Sequence, residues 1–181
     1  HHNIWIALPN GRIARITPDL KEVDFLTSSV DALGKIYTIL EDLKGRVWIA
    51  AVSGVYLWRE EEHHFIKMRQ VSNDFLSVRG MVCTKRGELY INTANNGLYI
   101  VDVEEKVLIP FSGELELEKD KIYALMEYRN GNLWLGGFKK GITLLSNEPS
   151  RFNFTPLSSF SASMGSTLSF VYEDKKNQIW T

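Results

Sequence analysis

The sequence has one cysteine, Cys83, among 181 residues. An intramolecular disulfide is therefore excluded, and Cys83, in an apolar run, reads as a small packing residue. Histidine is scarce too: His1 and His2 open the chain, and His63 and His64 are neighbours. Adjacent histidines on extended chain face opposite ways. Glu60-Glu61-Glu62-His63-His64 therefore reads as a solvated hairpin tip, with no metal assigned. A net charge of −1 gives no electrostatic reason to expect nucleic acid or an anionic membrane as partner. The longest uninterrupted apolar run, Val47 to Val52, is too short to span a bilayer. No window carries a sustained helical stripe. There is no Ser/His/Asp set, no phosphate-cradling glycine loop and no Cys/His metal spacing. No cofactor and no catalytic residue is therefore assigned.

What the sequence does have is an aromatic repeat. Lys44-Gly45-Arg46-Val47-Trp48-Ile49, Arg86-Gly87-Glu88-Leu89-Tyr90-Ile91, Asn130-Gly131-Asn132-Leu133-Trp134-Leu135 and Lys176-Asn177-Gln178-Ile179-Trp180-Thr181 share one pattern. Asn3-Ile4-Trp5-Ile6 is a truncated copy. The intervals between Trp5, Trp48, Tyr90, Trp134 and Trp180 are 43, 42, 44 and 46 residues. A period of that size marks a repeat architecture.

Each unit carries more than the aromatic. Twelve residues upstream, Ile36, Val78, Ile122 and Leu168 each open a short apolar run. A second glycine follows the aromatic, at Gly11, Gly54, Gly97 and Gly141, and precedes a third run. A fourth, weaker run closes the unit. The runs are short, rich in Val, Ile, Tyr, Phe and Trp, and bounded by turn residues, so they are strands. Four antiparallel strands in such a period make one β-propeller blade. The fold class is therefore all-β. About four blades are expected, in units 1–34 (partial), 35–76, 77–120, 121–166 and 167–181 (partial).

The first strand of each unit is apolar on both faces, as in Ile36-Tyr37-Thr38-Ile39-Leu40, and is expected to be buried between blades. The fourth is more polar and suits an outer edge. Trp5, Trp48, Tyr90, Trp134 and Trp180 are assigned to packing between blades. Gly45, Gly87 and Gly131 are assigned to the preceding hairpins. The chain begins and stops at second strands, as a piece of a longer propeller would. Exposed blade faces favour association, with the remaining blades of the parent or with a second copy.

The fullest copy of the repeat runs Ile36-Tyr37-Thr38-Ile39-Leu40-Glu41-Asp42-Leu43-Lys44-Gly45-Arg46-Val47-Trp48-Ile49, followed by Ser53-Gly54-Val55-Tyr56. It resembles the two-component regulator propeller repeat. The resemblance covers essentially the whole chain. It implies a larger, seven-bladed type of propeller in the periplasmic sensor region of a hybrid two-component histidine kinase of Bacteroides-type bacteria. It also implies a glycan or oligosaccharide signal passed to the kinase. The chain departs from the pattern at Cys83-Thr84 and Glu127-Tyr128, which replace the acidic pair, at Tyr90 for Trp, and at Ala50-Ala51 for Gly-Thr. A scaffold for protein–protein contacts is the alternative function, and a propeller lyase a third.

The most variable position of the unit follows the start of the first strand. It holds Tyr37, Arg79, Tyr123 and Ser169. If the first strands line the channel, these residues stand near one mouth. There, aromatic rings and an arginine suit sugar faces and carboxylates. Ordinary packing at a loop end accounts for them equally well. The loop Trp58-Arg59 and the loop Phe138-Lys139-Lys140 are weaker candidates of the same kind.

Overall fold

The computed structural model of the chain describes residues 3–26, 33–71, 76–112, 117, 120–139, 141–146, 152–155, 172–176 and 178–180. The architecture is a series of antiparallel sheets. The first has three strands, β1 (Ile4–Ala7), β2 (Ile13–Ile16) and β3 (Val23–Leu26). The second has four, in sequence order: β4 (Ile36–Glu41), β5 (Val47–Ala51), β6 (Gly54–Arg59) and β7 (His64–Lys67). β8 (Arg69–Gln70) leads into β9 (Val78–Cys83), β10 (Leu89–Thr93), β11 (Leu98–Asp102) and β12 (Val107–Pro110) of the third sheet. The fourth comprises β13 (Ile122–Glu127), β14 (Leu133–Gly137), β15 (Ile142–Leu145) and β16 (Phe152–Thr155). A last pair is β17 (Tyr172–Glu173) with β18 (Ile179–Trp180). A 3-10 turn at Pro9–Gly11 is the only helical element of regular length among the described residues.

The hairpin between the first and second strands repeats closely. The Asp42 N–H donates to Arg46 O and the Gly45 N–H to Asp42 O, both at 2.9 Å. Thr84, Gly87 and Glu88 repeat both bonds, as do Tyr128, Gly131 and Asn132. Gly45 adopts φ +73°, a conformation in which a side chain is strained.

Neighbouring sheets pack face to face. Trp48, Ala50, Val55 and Leu57 of the second sheet meet Met81, Leu89, Ile91 and Tyr99 of the third. The opposite face of the second sheet, with Val47, Ile49, Tyr56, Trp58 and Phe65, packs on Trp5, Ile13 and Leu26 of the first. The first strands β4, β9 and β13 lie side by side in chain order. They form the inner wall of the propeller.

Burial differs from the sequence expectation. The first strand β4 is only half-buried along its length, whereas the second strand β5 is buried throughout. The cause is position. β4 forms the inner edge of its sheet and borders the channel, while β5 is flanked by strands on both sides and by sheets on both faces.

The outer edge differs as well. β12 is not an edge strand, because β8 pairs with it in parallel, Val107 with Arg69 and Leu108 with Gln70. The chain leaving the second sheet is thus stapled onto the third, beginning with the Arg69 N–H on Lys106 O at 2.9 Å.

Candidate ligand-binding site at the channel mouth

Each inner strand carries one more residue than its partner accommodates. In β4 the pairing passes from Ile36–Ala51 to Thr38–Ala50, which leaves Tyr37 as a bulge. In β9 it passes from Val78–Thr93 to Gly80–Asn92, which leaves Arg79. In β13 it passes from Ile122–Gly137 to Ala124–Gly136, which leaves Tyr123. A bulge re-aims its side chain out of the alternating pattern. The variable position of the repeat is therefore the bulge position, three times over.

The three bulges bring their side chains together. Arg79 Nη1 donates to the Tyr37 hydroxyl at 2.7 Å. The guanidinium carbon lies 5.2 Å from the Tyr37 ring centre and 5.8 Å from that of Tyr123. Lys35 Nζ stands 4.9 Å from the Tyr37 ring centre. The arrangement is braced from below. Buried Asn92 donates through Nδ2 to Ile122 O at 2.9 Å, tying the third sheet to the fourth. A side chain at Gly80 would place its Cβ 2.7 Å from Asn92 Oδ1, so only glycine leaves that amide undisturbed.

The fourth member of the sequence set, Ser169, lies outside the described residues. Phe138 and Lys139 follow β14 at the same end of the sheet. The Phe138 N–H donates to Lys121 O at 2.8 Å, and Lys121 Nζ is 5.3 Å from the Phe138 ring centre. Val52 on Lys35 and Ala94 on Ser77 make the corresponding backbone bonds. Buried Asp120 accepts from the Lys121 and Lys139 N–H groups at 2.8 and 3.4 Å. Lys35 and Lys121, each just ahead of an inner strand, are mouth residues that the sequence reading did not single out.

Trp58 and Arg59 lie elsewhere. They end strand β6 and do not form a loop, and Trp58 is buried. Its ring centre is 5.4 Å from that of Trp5 and 4.8 Å from that of Phe65. Its indole N–H donates to Glu60 at 2.6 Å, and Arg15 bridges Glu60 and Asp24 at 2.7 and 2.8 Å. The indole bond, against the opposing effect of burial, and the Arg15 contact hold the Glu60 carboxyl below its ordinary range. Trp58 and Arg59 border a cleft of about 430 Å³ between the first two sheets, opened on Trp5, Arg46 and Glu60.

The repeated aromatics divide by their neighbours. Trp48 is fully buried, and its indole N–H donates to Asp42 Oδ2 at 2.8 Å. Trp5, Tyr90 and Trp134 are half-buried. Of Trp180 the backbone pairing with Tyr172 is described. Burial, together with nearby Glu88, pushes the Tyr90 hydroxyl up.

No protein-family model matches the sequence, and no curated protein matches it. Solved structures do match in fold. The extracellular domain of BT4673 from B. thetaiotaomicron superposes with a TM-score of 0.77 at 15% identity, over 98% of this chain and 24% of that one. The extracellular domain of the hybrid two component system BT3049 from the same organism gives 0.73 at 16% identity, over 98% and 23%. Virginiamycin B lyase from Staphylococcus aureus gives 0.70 at 14% identity, over 94% and 56%. The chain thus spans about a quarter of the length of the first two. Identities this low establish the fold, an all-β propeller, which sensors and a lyase share.

Proposed function

We propose that this chain is a ligand-binding part of the propeller of an extracytoplasmic, periplasmic two-component sensor, and that its signal is a glycan. The observation that carries this reading is the convergence of Tyr37, Arg79 and Tyr123. Three successive inner strands each spend a bulge to place a side chain at one mouth, and the side chains touch. Half-exposed rings beside a guanidinium offer stacking faces and charge-assisted hydrogen bonds to a sugar. The fold likeness to extracellular domains of two-component systems supports the same reading.

The signalling step follows from linkage. A glycan changes the arrangement of the parent protein only to the extent that it binds one arrangement more tightly than another. The histidine kinase that receives the change belongs to the parent protein. A glycan-library screen with calorimetry on the hits tests the reading. Saturable binding without turnover is the expected result. Binding of no glycan would end the sensor reading, and cleavage of a bound polysaccharide would favour a lyase.

A further inference from the structure

The mouth site is charged in a way that a neutral sugar does not answer. Among the described residues, Arg79 forms no ion pair, and the Tyr37 hydroxyl is the one acceptor its side chain has. Its Nε is buried and has no acceptor among the described residues. A guanidinium that is half withdrawn from water and lacks a counter-charge is costly, and a buried unpaired N–H adds to the cost. Lys35 and Lys121 flank the bulges, exposed and without ion pairs among the described residues. The single described carboxylate that bonds here, Asp120, is buried and turned onto backbone N–H groups. A cavity of about 550 Å³ lies between the first sheet and the start of β4, lined in part by Ala7, Leu8, Pro9, Gly34, Lys35 and Ile36; of the mouth residues only Lys35 reaches it.

We propose that the channel mouth is a seat for a carboxylate carried on a sugar, so that the glycan of the sensor reading, on which this rests, is an acidic one. Arg79 holds the carboxylate. Its Nη1 stays on Tyr37, and its Nε–Nη2 edge, free of partners, presents the parallel donors that a carboxylate takes in bidentate fashion. Because Nε is closed to solvent in the free chain, the guanidinium turns slightly outward as the anion arrives. Tyr37 and Tyr123 flank the charge and supply faces for the pyranose ring. Lys35 and Lys121 raise the local concentration of an acidic ligand at low salt.

The test is a titration of the ¹⁵N-labelled chain watched at the Arg79 Nε–H signal, which the Arg79→Gln spectrum assigns. Trigalacturonate is the probe, its methyl ester the neutral counterpart and sodium sulfate the plain anion. The expected result is a saturable shift with trigalacturonate that the ester does not produce at tenfold higher concentration. Arg79→Lys, which keeps the charge without the fork, should weaken trigalacturonate binding about tenfold when read by calorimetry. A normal melting curve for that variant shows that the fold is retained. No saturable shift with trigalacturonate, or an equal one with sulfate, overturns the proposal. If library glycans bind while Arg79 stays unmoved, the sensor reading stands and the acidic seat falls. If trigalacturonate moves Arg79 and is also cleaved, the acidic seat stands and the sensor reading gives way to a lyase.

Discussion

Asp42 shows how much one repeat residue does. Its side chain, 1% exposed, accepts from the Lys44 and Arg46 N–H groups at 2.9 and 3.0 Å, from Arg46 Nε at 2.6 Å and from the Trp48 indole at 2.8 Å. It closes the hairpin and satisfies the buried indole together. Burial opposes ionisation, but these donors outweigh it and hold the carboxyl below its ordinary value. The sign follows directly. The stabilisation is complete above the ordinary aspartate range, about 3.9, and is lost as pH falls through the lower folded value. Asp42→Asn, measured by urea melts, should cost about 2 kcal/mol at neutral pH and less in strong acid.

The other copies vary this scheme. Thr84 keeps one bond, to the Glu88 N–H at 3.1 Å, and is paired with Tyr90 in place of Trp. Tyr128 keeps the backbone turn but offers no carboxylate, and the Trp134 indole nitrogen is buried without a partner among the described residues. Tyr128→Asp should therefore raise stability by about 1 kcal/mol, read as a higher melting temperature. The acidic pair was visible in the sequence as a repeat feature. Its bond to the indole was not, because that depends on a side chain six positions away folding back over the hairpin.

At the scale of the element, the strand pattern was legible from the runs and the glycines, since a period of two and tight turns are local properties. Two features were not. The bulges at Tyr37, Arg79 and Tyr123 depend on partner registration, which one strand's sequence does not reveal. The signal that was available is length, because Ile36–Glu41 exceeds Val47–Ala51 by one residue. The short strand β8 was hidden for a similar reason. Arg69-Gln70 is too brief to show alternation, and its partner lies far along the chain. Arg69→Pro removes the N–H that donates to Lys106 O. It should cost about 1–3 kcal/mol and speed amide exchange along Val107–Pro110, with β4–β6 unaffected.

At the scale of the whole molecule, the sheets are not alike in what covers them. Val47 and Ile49 are buried against the first sheet, yet Ile4 and Ile6, at the matching repeat positions, are 45% and 39% exposed. Val23 and Phe25 of β3 are exposed as well. Such a face favours contact with another blade. The chain alone should self-associate in sedimentation velocity, and Phe25→Lys should shift it toward monomer. The aromatic period indicates propeller architecture in the sequence itself, because stacking repeats is a property of the whole sequence. The candidate site at the mouth was only partly legible. The variable position named its residues, but their convergence depends on how neighbouring blades are angled.

The inner-strand bulges at Tyr37, Arg79 and Tyr123 are the proposed ligand seat. Hydrogen–deuterium exchange of the chain with and without trigalacturonate tests it most directly. Slower exchange is expected in peptides spanning 35–41, 78–83 and 121–127, and this protection should be lost in Arg79→Gln. Protection confined to the cleft at Trp5, Trp58 and Arg59, with those inner-strand peptides unchanged, would contradict it.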